Sequence, residues 1–145
     1  MPTIRHSIAI DASPQRIFPL VSSGREFKQW WAADVTEDVP RDIVILGFFN
    51  RSTVYTLHPL RIDEPNYAEW ECKSGEEWIG TRLLFDLPPQ KKGLTQLRFS
   101  HADWRTETDY FVSCTTTWGE LMFRLKAAAE GKNPRPLFSA TGMAY

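Results

Sequence analysis

Between Thr106 and Glu130 the chain carries no proline, and Gly131 follows where a helix C-terminus would turn off. Within this stretch Phe111, Cys114, Trp118, Leu121, Leu125 and Ala128 recur at three- and four-residue steps, the apolar stripe of one helix face. At about 1.5 Å per residue such a helix is roughly 35 Å long. An apolar face of that length needs a partner surface of similar extent, and the rest of the chain must supply it.

Most of what precedes reads as strands. Ile4, His6, Ile8 and Ile10 alternate with Arg5, Ser7, Ala9 and Asp11. Further runs cover Asp42–Phe49 and Ser52–Asp63, the latter broken by Pro59, which implies an edge strand or a bulge. Turn chemistry at Glu64-Pro65-Asn66 leads into Tyr67–Ser74, where Ala68, Trp70 and Cys72 share one side. Trp78–Leu87 puts Ile79, Thr81, Leu83, Phe85 and Leu87 on one face. A hairpin loop at Pro88–Gly93 follows, and then Thr95, Leu97, Phe99 and His101 face one way. Two short helices interrupt this series. Ser13 caps the first, with Pro14 at its first position and a kink or early end expected at Pro19. The second covers Arg25–Ala32 and ends in Trp30-Trp31. The order predicts an α+β domain: a curved antiparallel sheet of about seven strands wrapped around the long C-terminal helix, with two short helices after the first strand.

Composition limits what this domain can do. At 145 residues, 42% hydrophobic and 24% charged, the chain fits one folded domain over 1–131, followed by an extended tail over 132–145 that holds Pro134 and Pro136. A net charge of −1 with scattered Lys and Arg supplies no basic stripe for nucleic acid or an anionic membrane surface. No segment approaches the roughly 18 apolar residues of a membrane span, and the opening MPTIRHSIAID reads as a strand rather than a leader. Cys72 and Cys114 form no CxxC and are expected as reduced thiols, so a soluble cytoplasmic protein is expected. Walker, GxSxG, HExxH and GxGxxG motifs are all lacking, and neither a cofactor nor a metal is expected.

Several of these segments, taken in order, resemble the START-like (SRPBCC) superfamily with its helix-grip fold, and within it the branch similar to the activator of the heat-shock-protein-ninety ATPase. The resemblance is carried by Ile10-Asp11-Ala12-Ser13-Pro14 with Ile17-Phe18, by Trp30-Trp31, and by Trp70-Glu71-Cys72. It continues through Trp78–Phe85 (WIGTRLLF), Leu97–Trp104 (LRFSHADW), and Cys114 with Trp118 and Leu121, so that it spans Ile4 to Lys132. It implies a cavity between sheet and helix. It also implies two rival functions, a chaperone-associated interaction module and a cyclase- or hydratase-like enzyme using the same cavity.

Six Trp are many for this length, and aromatics reach 13%. If alternation holds, Trp70, Phe85, Phe99 and His101 face inward, answered by Cys114 and Trp118 from the helix, with Trp31, Tyr55 and Trp78 completing the set. This array reads as a site for a small hydrophobic or amphipathic ligand, lipid-like or aromatic, anchored by His101 and Tyr55. The competing reading is that the aromatics fill a core and that His101 is a hydrogen-bonded core histidine. A Cys114–His101 nucleophile pair and a metal site from His101, Cys72 and Cys114 are weaker alternatives, because no motif accompanies either. Glu69, Glu71, Asp86, Arg82 and Arg98 fall on the outward face, where cross-strand pairing explains them. A homodimer is the oligomer to expect, since two-fold dimers are the commonest.

Overall fold

The computed structural model describes residues 1–89 and 93–143. Strand β1 (Ile4–Ile10) leads to helices α1 (Pro14–Ser22) and α2 (Gly24–Phe27), and then to six strands. These are β2 (Asp34–Asp38), β3 (Ile43–Phe48), β4 (Thr53–Asp63), β5 (Tyr67–Cys72), β6 (Arg82–Asp86) and β7 (Thr95–Ala102). Helix α3 (Asp109–Ala129) follows. All strands pair antiparallel in one sheet of order β1-β7-β6-β5-β4-β3-β2, a meander whose last strand meets the first. This is the expected helix-grip architecture, with α3 lying on the inner face of the curved sheet and packing on β1.

Local chemistry accounts for the elements. Ser13 accepts a hydrogen bond from the Arg16 amide, and Pro14 occupies the first turn of α1, where its missing N–H is not needed. The helix continues three residues past Pro19 to Ser22, whose hydroxyl donates to the Phe18 carbonyl, so Pro19 does not end it early. Helix α2 stops at Phe27 instead of reaching Ala32, and Trp30 and Trp31 sit on the turn that follows. Pro59 lies in an interior strand, and the register of β4 shifts between Pro59 and Arg61. A bulge, not an edge position, absorbs the lost donor.

Asp34–Asp38 forms a further strand at the sheet edge. Strand β6 begins at Arg82 rather than at Trp78, because residues 75–80 form a turn with Gly75 and Gly80 at φ +93° and +86°. Ile79 is therefore exposed instead of joining the inward row. The hairpin loop expected at Pro88–Gly93 lies partly outside the described residues.

Helix α3 begins at Thr108, whose hydroxyl accepts from the Phe111 amide, and ends before Gly131 at φ +81°. Its buried face is Phe111, Cys114, Trp118, Leu121, Met122, Leu125 and Ala129. Beyond it the chain runs back across the molecule. The Leu137 and Phe138 amides donate to the Trp30 and Trp31 carbonyls, and both side chains are buried. Among the described residues no helix is long and apolar enough to cross a membrane, and both cysteines are free and buried.

Candidate functional site

Cross-strand register decides which inward side chains meet. Trp70 on β5 stands opposite Leu83, Leu83 opposite His101, and His101 opposite Ile4. In the next row Ala68, Phe85, Phe99 and His6 are successive partners. These rows are packed solid. Phe85 and Phe99 are in ring contact at 5.1 Å, and Phe99 meets Trp118 at 4.3 Å. The Trp70 indole N–H donates to the Val21 carbonyl, and Trp30 does the same to Leu20, each at 2.9 Å. Both carbonyls belong to the last turn of α1, where a helix has no internal donors left, so two of the six Trp serve as caps for that helix.

His101 belongs to this filled region. It is fully buried, its Nδ1 accepts from the Trp118 indole N–H at 3.1 Å, and its Nε2 lies 2.8 Å from the Thr81 hydroxyl. Because the indole can only donate, Nδ1 carries no proton and Nε2–H donates to Thr81, which in turn donates to the Trp78 carbonyl. Burial pushes the imidazole pKa down to about 3, so the ring stays neutral at ordinary pH. With both ring nitrogens engaged, His101 is neither a pocket anchor nor a base for Cys114. Trp70, Phe85, Phe99 and His101 are thus corrected from cavity wall to packed core.

On the β3–β4 side the space between sheet and helix is not filled. A half-open cavity of about 210 Å³ lies there. It is walled by Trp31, Phe48, Phe49, Thr53, Tyr55, Trp78, Tyr110, Ser113, Cys114, Thr117, Trp118, Leu121, Phe138 and Met143. Five of the expected residues meet in it: Trp31, Tyr55, Trp78, Cys114 and Trp118. The Tyr55 and Trp78 rings stack at 3.9 Å and 6°, and Trp118 lies 6.0 Å from Trp78 and 5.1 Å from Trp31. Gly75 makes room for that stack, since a Cβ there would fall 2.6 Å from the Tyr55 ring.

The other wall was not read from the sequence. Tyr110 precedes Cys114 by one helical turn, so the helix stripe could have included it; Phe48 lies within a strand that was recognised. Phe138 and Met143 come from the C-terminal segment, where no periodicity marks them. Phe138 meets Phe48 edge-on at 4.9 Å and Phe49 at 6.0 Å. The β3–β4 turn beside them holds Phe49, Asn50 and Arg51 all at positive φ. It is tied down by the Asn50 amide donating to the Ala140 carbonyl and by a two-point pair between Arg51 and Asp34.

The polar groups of the cavity are neutral. The Tyr55 and Tyr110 hydroxyls are hydrogen-bonded to each other. Burial raises both phenols, Tyr110 to about 12. Burial also raises the Cys114 thiol, which keeps it protonated and poorly nucleophilic. The Trp78 indole N–H reaches no oxygen or nitrogen acceptor, and its polar neighbour is the Cys114 sulfur, a weak acceptor. Among the described residues no cluster of three or more metal-ligating side chains occurs, and the grouping of His101, Cys72 and Cys114 is excluded because His101 is fully engaged elsewhere.

Alongside runs a second, polar recess of about 430 Å³ that shares Thr53, Tyr55 and Tyr110 with the first and adds Glu76 and Glu77. The Glu77 carboxylate accepts from the Thr108 hydroxyl, which couples this recess to the start of α3.

Comparison with known proteins places this geometry. No known family profile and no curated protein matches the sequence. Among solved structures the chain is similar to the Aha1 dimer protein of Colwellia psychrerythraea, with 25% identity and a TM-score of 0.78 over 91% of this chain and 98% of that one. It shares its fold with a conserved Enterococcus faecalis protein of unknown function, at 22% identity and a TM-score of 0.69 over 92% of this chain and 74% of that one. A protein of the dynemicin biosynthetic locus also shares the fold, at 14% identity and a TM-score of 0.69 over 92% of this chain and 49% of that one. The helix-grip topology, the ordered strand and helix segments and the likeness to the Colwellia protein together support the resemblance to the START-like (SRPBCC) superfamily and its Aha1-like branch.

Proposed function

We propose that this domain binds a small hydrophobic or amphipathic molecule, aromatic or lipid-like, in the cavity between β3–β4 and α3. The observation that carries this reading is the cavity itself. Eight of its fourteen lining residues are aromatic, and apolar walls with a few polar groups are the usual anatomy of a small-molecule site. Its volume of about 210 Å³ lies below the roughly 300–1,000 Å³ of drug-sized sites, which favours a ligand of about one or two rings. Three of the lining residues are Trp, so occupancy should quench or shift the protein's own emission. Titration with a panel of small aromatic and aliphatic compounds tests the reading. Saturable change with one class supports it, and a flat response from folded protein refutes it.

A second reading is a chaperone-associated interaction module, favoured by the likeness to Aha1 over nearly the whole chain. Its test is the ATPase rate of a ninety-kilodalton heat-shock protein with and without added domain, together with a pull-down. No change in rate and no capture would refute it. The dimeric state of the Colwellia protein supports a homodimer, and sedimentation analysis distinguishes one from a monomer. Two unpaired buried thiols accord with a cytoplasmic location.

A further inference from the structure

We infer that the cavity selects uncharged molecules carrying a single hydroxyl- or carbonyl-type group and turns away carboxylates. The inference rests on the binding reading above and narrows its ligand class. None of the fourteen lining residues is Asp, Glu, Lys, Arg or His. A carboxylate drawn against these walls would lose water and meet no counter-charge, which is unfavourable for any ion in an apolar site.

Polar groups at the rim point the same way. Thr53 and Ser113 carry hydroxyls, which can donate to or accept from a neutral oxygen, and the Thr117 hydroxyl, which donates to the Ser113 carbonyl, can still accept. Burial keeps the phenols and the Cys114 thiol in their protonated forms, so the lining gains no charge of its own near neutral pH. Of the described cations on neighbouring segments, Arg51 is held by Asp34, and Arg105 donates to the Glu76 carbonyl beside the polar recess; neither lines the cavity.

The polar recess adds a sign to this preference. It opens on the same Thr53–Tyr110 rim and brings Glu76 and Glu77. A ligand head leaning out of the cavity therefore meets negative charge, which opposes an anion and tolerates an ammonium. The order of preference is neutral, then cationic, then anionic.

Three probes of one carbon skeleton separate these terms: phenylbutanol, phenylbutylamine and phenylbutyrate, titrated at neutral pH against the protein's Trp emission. The alcohol should saturate, the carboxylate should bind at least about tenfold more weakly, and the amine should fall between them. A carboxylate that binds as tightly as the alcohol overturns the inference and leaves the cavity reading intact. If none of the three saturates while other compounds of the panel do, the ligand class named here is wrong. If nothing in the panel saturates, the binding reading falls and takes this inference with it. Replacing both Glu76→Gln and Glu77→Gln, with melting temperature as the check on folding, should narrow the gap between amine and carboxylate several-fold. An unchanged gap overturns the role given to the polar recess.

Discussion

Lowering the pH from about 7 to about 5 should weaken the fold through one side chain. His101 is buried and neutral, with a pKa near 3 in the fold against 6.5 for an ordinary imidazole. The unfolded chain therefore binds a proton that the folded chain refuses, and stability falls as pH drops from 6.5 towards 3. At about 1.4 kcal/mol per unit, the loss at pH 5 is about 2 kcal/mol. Glu130 acts in a different window. Lys126 and the Asp11 amide hold it down to about 2, so its contribution is present above about 4.5 and disappears below that. Urea unfolding followed by Trp emission at the two pH values should show the midpoint falling by about 1 M at pH 5. The variant His101→Gln, which keeps a donor and an acceptor but cannot take a proton here, should lose most of that pH dependence whatever its absolute stability. An equally steep fall in the variant would refute the reasoning and assign the acid sensitivity to other groups.

Three further outcomes follow from the same geometry. Thr117→Phe should fill the cavity and abolish saturable quenching by any ligand, with only a modest change in melting temperature. Trp70→Phe should cost about 1–3 kcal/mol by leaving the Val21 carbonyl unpaired, as read in urea. It should leave ligand titrations unchanged, because Trp70 lies outside the cavity. Cys72, pushed up to about 11 by burial, and Cys114, raised for the same reason, should resist thiol labelling in folded protein at mildly alkaline pH and react promptly once denaturant is added.

What could be read from the sequence was what depends on neighbours in the chain. The stripe from Phe111 to Leu125 is a local periodicity, as is the alternation of β5 and β7, and Pro59 announces its bulge through its own missing donor. Strand β2 escaped because its sequence, DVTED, shows almost no alternation. Only Val35 is buried in it, as an edge strand with one free side allows. Trp78 continues the alternation of the strand that follows it, yet Gly75 and Gly80 turn the chain there, which a count of apolar positions does not register. For the site, alternation correctly turned Trp70, Phe85, Phe99 and His101 inward. It could not tell which end of the groove is packed, because that depends on α1 presenting its carbonyls to two indoles and on Trp118 reaching His101. Phe138 and Met143 reach the cavity only through tertiary contacts of the C-terminal segment.

The β3–β4 turn has a kinetic consequence. Three successive non-glycine residues at positive φ each cost about 1–2 kcal/mol relative to ordinary backbone, so the turn is not self-supporting. It keeps its shape through anchors on other segments, one of them the Asn50 amide held by Ala140. When the C-terminal segment lifts, the turn loses that anchor and relaxes, and when the turn relaxes, Phe49 no longer backs Phe138. The two should open as a single cooperative unit well below the free energy of global unfolding. Deuterium uptake at Asn50 and Phe138 should then follow one common time course, faster than that of the central strands, and Phe138→Ala should accelerate both together.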